Sequence, residues 1–118
     1  RAGTPTVADD SIDQYINLHS HLINNPKATF LVKASGDSMI KASINDGDML
    51  VVDKSIAAAN NHIVVAAIEG NLTVKRLAIH GATIQLNAEN EAYPPIMIRE
   101  SDNFLILGVV THVIHRTI

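Results

Sequence analysis

The sequence predicts a mostly β fold, a partly closed β-sheet assembly with one N-terminal helix and a mobile arm. Short apolar segments rich in β-branched residues recur at even spacing from residue 29 onward, and turn residues separate them. Helical periodicity occurs in one stretch ahead of these segments. The chain has 118 residues, which suggests a single domain over residues 1–118 that can bury a core without disulfides.

The N-terminal part of the chain predicts an arm followed by a helix. Residues 1–8 contain glycine and proline and have no periodic pattern, so we expect a mobile arm. Residues 9–25 predict an amphipathic helix, with Asp9 or Asp10 as the cap and Pro26 just beyond its end. The residues at helical spacing are Ile12, Tyr15, Ile16, His19, Leu22 and Ile23.

Residues 29–118 are predicted to form the β core. The expected strands are residues 29–33, 49–53, 63–68, 72–79, 83–87, 96–99 and 104–115. Glu69-Gly70-Asn71 is typical of a tight hairpin turn between two of these strands. Tyr93-Pro94-Pro95 interrupts the pattern because proline has no N–H to donate to a neighbouring strand.

Composition and charge argue against several function classes. Nine basic and twelve acidic residues leave a net charge of −3, and aromatic residues make up 3%, so we expect no direct DNA binding. No apolar run approaches the ~20 residues that span a bilayer, and no signal peptide is visible, which predicts a cytoplasmic protein without a membrane contact. The absence of cysteine excludes a thiol nucleophile and thiolate metal ligands.

Ser38 and Lys75 are the strongest candidates for chemistry. Ser38 follows a glycine turn that can present its hydroxyl, and Lys75 lies in an apolar strand. Burial disfavours the charged ammonium, so such a lysine can accept the proton of a serine and form a Ser-Lys nucleophile pair. Taken singly, Ser38 fits an ordinary turn and Lys75 fits a surface lysine on an edge strand, so only the two together favour catalysis.

The alternation of side chains along a strand separates Lys75 from its neighbour Arg76. It predicts that Lys75 lies among apolar neighbours on one face, and that Arg76 is the more solvated cation on the other. The residues expected to share the first face are Thr73, Lys75, Leu77 and Ile79.

Two other groups of residues could suggest a metal site. Asp46-Gly47-Asp48 has two acids but lacks the further ligands that calcium needs, so a turn is the better interpretation. Two histidine pairs are also present, but their spacing separates the side chains and no second ligand set accompanies them. We therefore predict no metal and no cofactor. The histidines concerned are His19 with His21 and His112 with His115.

Four short motifs in order carry a family resemblance over nearly the whole chain. They resemble the serine-lysine self-cleaving peptidase family of LexA, the phage repressors and UmuD, and residues 26–30 and 33–38 are most similar to UmuD and MucA, the SOS mutagenesis branch. The resemblance implies a LexA/UmuD-like self-cleaving peptidase domain with Ser38 as nucleophile and Lys75 as general base. The motifs are Ser35-Gly36-Asp37-Ser38-Met39, Asp46 to Val52, Thr73-Val74-Lys75-Arg76-Leu77 and Gly108-Val109-Val110.

The resemblance also implies a cleavage site and an oxyanion site. Ala2-Gly3 resembles the family's scissile bond, in which a small residue and a glycine let an extended arm enter a narrow cleft. We expect the backbone amides of Asp37 and Ser38 to point at the developing oxyanion. Because position 1 is Arg, we expect the chain to be a fragment or a processed product.

The function implied by this resemblance is that of an SOS-response accessory subunit. The RecA filament would provoke self-cleavage, and the product, as a homodimer, would join a UmuC-like Y-family DNA polymerase in error-prone translesion synthesis. The alternative is the dimerisation and self-cleavage domain of a LexA-type transcriptional repressor. A third interpretation is a relative of the signal peptidases, but such a protein needs a membrane anchor.

The last predicted strand is the candidate dimer surface. It is long and apolar, so its edge or one of its faces could pair with a second copy. Strict alternation leaves two possible rows of side chains, and the sequence does not choose between them. One row is Leu105, Leu107 and Val109, and the other is Ile106 and Val110.

Overall fold

The computed structural model describes residues 12–118, and it confirms the mostly β fold. Its strands form one antiparallel seven-stranded sheet in the order β1-β2-β7-β3-β4-β5-β6. Every predicted strand is present, with ends that differ by at most one residue from those expected. The strands are β1 (Thr29–Lys33), β2 (Met49–Asp53), β3 (Ile63–Ile68), β4 (Asn71–His80), β5 (Thr83–Asn87), β6 (Ile96–Ile98) and β7 (Phe104–Ile114).

The tightest connection lies between β3 and β4. Ile68 pairs with Asn71, so Glu69 and Gly70 alone form the hairpin loop. Both residues have positive φ, 49° and 81°. Two positive φ values in succession give the turn whose twist matches that of the flanking strands, and glycine adopts one at no steric cost.

The sheet has a hydrophobic core on each of its faces. Val64 and Val65 are adjacent in β3 and both are buried, yet they belong to different clusters because successive side chains point to opposite faces. Val65 packs with Met39, Ile44, Leu50 and Val52, and Val64 packs with Ala66, Leu77, Leu86 and Val109. The first cluster lies behind Ser38, because Met39 directly follows it and is 1% exposed.

The N-terminal helix is much shorter than predicted. Among the described residues it spans only α1 (Leu18–Leu22), where the Asn17 side chain accepts a hydrogen bond from the Ser20 amide at 3.0 Å. Residues 12–17 are not helical, and Ile12, Tyr15 and Ile16 are 52–54% exposed. The prediction of a helix over 9–25 was wrong in extent because a short amphipathic helix is stable only when its apolar face is buried. Residues 1–8, Asp9 and Asp10 lie outside the described residues.

Both predicted side-chain rows on β7 were wrong. The register of β7 shifts against β3 between Val65 and Ala66, and against β2 between Val51 and Val52. Each shift interrupts the alternation, because an extra residue moves the following side chains to the other face. Phe104, Ile106 and Val109 consequently pack in one core cluster, while Leu107 and Val110 pack in the other.

Gly108→Ala is expected to destabilise the fold by about 1–3 kcal/mol, as overpacking of a tight core does. A Cβ at Gly108 would lie 2.7 Å from a side-chain carbon of Val52 and 3.1 Å from the Asp53 carbonyl oxygen. Denaturant unfolding measures this loss. The matched control is Leu105→Ala on the same strand, where the side chain is 60% exposed. We expect it to change the free energy of unfolding by less than about 0.5 kcal/mol, and equal losses would contradict the prediction.

Candidate active site

Ser38 lies in a turn between β1 and β2 that is tied down by a second turn. Gly36 has a φ of 82°, and its amide donates to Oδ1 of Asp46 at 2.7 Å. Ala34, two residues before Gly36, donates to the Asp48 carbonyl at 2.7 Å and accepts from the Gly47 amide at 2.8 Å. These bonds place Ser38 immediately after a rigid glycine bend, as the sequence predicted.

The structure brings Lys75 and Ser38 together across the sheet. The Lys75 Nζ lies 3.1 Å from the Ser38 Oγ, 2.8 Å from the Thr73 Oγ1 and 3.1 Å from the Val74 carbonyl oxygen. As an ammonium, Lys75 can donate to all three oxygens; as a neutral amine it has two hydrogens and one lone pair. With both hydrogens donated to Thr73 and Val74, the lone pair is available to the Ser38 hydroxyl. The site therefore has the geometry of a nucleophile and its base.

The surroundings of Lys75 favour its neutral form. Burial lowers the pKa of the Lys75 ammonium below its usual value. The side chain opens into a cleft of about 200 Å³. Most of the cleft wall is apolar, formed by Val32, Ala34, Leu50, Val65, Leu72 and Val74. A lysine in such a cleft, with no acidic partner among residues 12–118, loses its proton at a lower pH than a lysine in water.

The backbone at Ser38 has amides available for an oxyanion. The amides of Asp37 and Ser38 donate no hydrogen bond to any residue that the structure describes. Free donors beside a nucleophile can stabilise the charge that develops on a carbonyl oxygen. The arrangement is compatible with the predicted oxyanion role of these two amides, which stays a prediction.

Arg76 differs from the prediction that it is a solvated cation. Its side chain is 33% exposed, and its Nε donates to Oε1 of Glu89 at 2.6 Å. Its Nη1 donates to the Asn61 carbonyl at 2.7 Å. Alternation along β4 separates it from Lys75, but the β5–β6 connection covers that side of the strand, so Arg76 is paired there instead of solvated.

The acids of Asp46-Gly47-Asp48 bind backbone groups. Asp46 accepts from Gly36, and Asp48, which is 2% exposed, accepts from the Asn45 amide at 2.8 Å. The Asn45 amide and the His115 ring hold the pKa of Asp48 below its usual range. In residues 12–118 no group of three potential ligands could hold a metal ion. The turn interpretation of this motif agrees with these contacts.

The sequence did not reveal several contacts around Ser38 and Lys75. Thr73 was placed on the Lys75 face, but its hydrogen bond to Nζ was not foreseen, although alternation alone could have suggested it. Residues 89–93, between β5 and β6, contact the Ser38 turn, and the sequence signal recognised near them was the Pro94-Pro95 pair that follows. The predicted scissile residues, Ala2 and Gly3, lie outside the described residues.

Comparison with known proteins identifies the family. A family model described as peptidase S24-like matches residues 1–111 of the chain. The chain belongs to the peptidase S24-like family. Members of this family are self-cleaving peptidases of the Ser-Lys type, so this S24-like domain is a serine endopeptidase in class.

Individual relatives of this S24-like domain align over nearly its whole length. It is 42% identical to Protein ImpA of Salmonella typhimurium over 117 residues, which cover 99% of this chain and 79% of ImpA. It is 40% identical to Protein SamA of Salmonella typhimurium strain LT2, over 98% of this chain and 80% of SamA. It is 36% identical to the LexA repressor of Clostridium acetobutylicum, over 98% of this chain but 55% of that repressor.

No helix in the described part of the chain combines the length and the apolar character needed to cross a membrane.

Proposed function

We propose that this S24-like domain cleaves its own chain between Ala2 and Gly3, with Ser38 as nucleophile and Lys75 as general base. The observation that carries the proposal is the 3.1 Å distance between Nζ of Lys75 and Oγ of Ser38. The bonds from Nζ to Thr73 and Val74 support it, because they occupy the two hydrogens of a neutral amine. Loss of cleavage in Ser38→Ala tests the assignment.

The reaction proceeds in two steps through an ester. Neutral Lys75 takes the Ser38 proton while Oγ forms a bond to the Ala2 carbonyl carbon, and amides at Asp37 and Ser38 bind the oxyanion. The Ala2–Gly3 bond breaks, and the Gly3 nitrogen leaves with the proton from the Lys75 ammonium. Water, deprotonated by Lys75, then hydrolyses the Ser38–Ala2 ester and restores the free hydroxyl.

We further propose an accessory role in error-prone translesion synthesis. In this role a RecA filament stimulates the cleavage, and the product binds a UmuC-like Y-family polymerase in the cytoplasm. Near-complete alignment with ImpA and SamA supports this branch, since the chain spans 79% and 80% of those proteins. Removal of the arm would act as a switch that changes the surface available to the partner.

The competing proposal is the dimerisation and self-cleavage domain of a LexA-type repressor. It is supported by 36% identity to a LexA repressor over 98% of this chain. A gene that encodes a helix-turn-helix domain ahead of Arg1 would favour the repressor. Complex formation with a Y-family polymerase, abolished when the arm is uncut, would favour the accessory subunit.

A homodimer is part of the proposal, with the exposed end of β7 as its surface. Residues 112–114 pair with β2 and not with β3, so one edge of this half of β7 has no strand partner within residues 12–118. Val113 and Ile114 in this half of β7, and Met49, which pairs with Ile114, are 38–39% exposed. A free edge next to exposed apolar residues favours pairing with a second copy.

Sedimentation at micromolar concentration is expected to give a dimer, and Ile114→Lys to give a monomer. The substitution places a charge on the proposed surface, where burial in a dimer would leave it unpaired. Leu105→Lys is the matched control, because Leu105 is exposed on the same strand but lies at its other end. A monomeric parent chain, or tight salt-sensitive binding to bare duplex DNA, would contradict the proposal.

A further inference from the structure

Residues 89–93 form hydrogen bonds with the backbone of Asp37 and Ser38, in the turn that carries the proposed nucleophile. The Asn90 Nδ2 donates to the Asp37 carbonyl at 2.9 Å, and the Glu89 amide donates to the Ser38 carbonyl at 2.9 Å. The Tyr93 hydroxyl donates to the Asp37 carboxylate at 2.5 Å. Two consecutive carbonyls of the nucleophile turn are thus directed toward this segment.

The direction of these carbonyls determines the direction of an amide. The C=O and N–H of a trans peptide point in opposite directions, and the unit is planar. The Asp37 carbonyl accepts from Asn90 at 2.9 Å and from the Ile40 amide at a longer 3.3 Å, so the Ser38 N–H of the same peptide points away from these two donors. That amide donates to no described residue, which leaves it available to a substrate oxygen.

The 89–93 segment is itself anchored beside the general base. The Glu89 carboxylate accepts from Nε of Arg76 at 2.6 Å, and Arg76 follows Lys75 in β4. The Glu89 carbonyl accepts from the Lys41 amide at 2.9 Å, just beyond the nucleophile turn. The segment therefore connects the strand that carries Lys75 to the turn that carries Ser38.

We propose that Asn90 is a positioning residue for self-cleavage, one that holds the Asp37–Ser38 peptide in the orientation that presents the Ser38 amide and hydroxyl to the scissile carbonyl. This inference rests on the proposed function of Ser38. Asn90 touches neither the cleft nor Lys75 among the described contacts, and acts only through the peptide. Its side chain also accepts from the Ala92 amide at 3.0 Å, which fixes the amide group for donation to Asp37.

The Asn90→Asp variant removes the hydrogen bond to the Asp37 carbonyl while it keeps the size and shape of the side chain. The carboxylate has the same shape and still accepts from Ala92, but it has no hydrogen to donate to the Asp37 carbonyl. We expect the first-order rate of self-cleavage at alkaline pH to fall about tenfold or more, because a misdirected oxyanion donor and a displaced nucleophile both slow the reaction. The readout is product formation by intact-mass spectrometry in a chain that carries its native arm.

Asn87→Asp is the matched control for the added charge. Asn87 accepts from Gln85 at 2.7 Å, a bond that a carboxylate keeps, and it lines the same surface cavity as Asn90 without a contact to the Ser38 turn. We expect its cleavage rate to stay within about twofold of the parent chain. Equal rates for the two variants would overturn the proposal.

The pH–rate curve of the Asn90→Ala variant distinguishes positioning of the Ser38 peptide from a general loss of stability. It should lower the rate by a similar factor at every pH and leave the midpoint of the pH–rate curve unchanged, because Asn90 carries no charge and does not touch Lys75. A shifted midpoint, or a loss of rate that only follows a lower unfolding temperature, would overturn the proposal. If Ser38→Ala still cleaves, the proposed function fails. If Ser38→Ala is inactive while Asn90→Asp cleaves normally, only this inference fails.

Discussion

Ser38→Ala is expected to abolish cleavage at Ala2–Gly3, with a rate at least about a thousandfold below that of the parent chain. The hydroxyl is the only proposed nucleophile, and the chain contains no cysteine that could replace it. The variant should form no product at neutral or at alkaline pH, because deprotonation of Lys75 cannot help when the group it activates is missing. Gel analysis and intact-mass spectrometry of a chain with its native arm measure the product.

Ser35→Ala is the control for this experiment. Ser35 lines the same cleft three residues earlier in the turn, but it makes no hydrogen bond with Lys75. We expect it to cleave at nearly the parent rate, and both variants to unfold within about 0.5 kcal/mol of the parent. Formation of the Gly3-terminated product by Ser38→Ala would refute the nucleophile assignment.

The pH dependence of self-cleavage should report the titration of Lys75. A general base acts only when it is unprotonated, so the rate should rise with pH and level off above the pKa of the ammonium. Burial lowers that pKa, and we therefore expect the midpoint of the rise to lie below the usual lysine value. Lys75→Ala should remove both the activity and the rise.

Two further variants test whether Lys75 acts through its positive charge or as a base. Lys75→Arg keeps a cation but cannot lose its proton, so we expect no cleavage at any accessible pH. Lys33→Ala removes a lysine from the same cleft, and its side chain has no bond to Ser38. We expect the Lys33 variant to keep the rise in rate with pH. Activity in Lys75→Arg, or loss of the rise in Lys33→Ala, would mean that another group is the base.

The proposed role of Asn90 adds a requirement to this chemistry. The Lys75 Nζ lies 3.1 Å from the Ser38 Oγ, which suits proton transfer. This contact does not fix the orientation of the peptide group that precedes Ser38. In our proposal Asn90, far along the sequence, supplies this orientation beside the local Ile40 amide, and Arg76 binds Glu89 in the same connection. The nucleophile turn is therefore supported from Asp46 on one side and from Asn90 on the other.

The sequence predicted that Ser38 and Lys75 would lie together, but it did not predict which residues hold the Ser38 turn in place. A glycine turn before Ser38 and an apolar strand around Lys75 are local patterns, and together with the family motifs they predicted the contact that the structure contains. Asn90 and Glu89 carry no local signal, because their partners lie about fifty residues earlier in the chain. Arg76 was misassigned for the same reason, since alternation gives the side of a strand but not what covers it.

The sequence by itself determined the set of strands and the hairpin at Gly70, because alternation and turn chemistry act over a few neighbouring positions. With the family motifs it also predicted the contact between Ser38 and Lys75. Only the tertiary structure decided how far the helix extends, since residues 12–17 have no surface in the described chain against which to bury their apolar side chains. It also decided which β7 residues face each core, because the register shift against β3 resets the alternation. Such shifts depend on the packing of strands that are distant in sequence, and no local pattern specifies them.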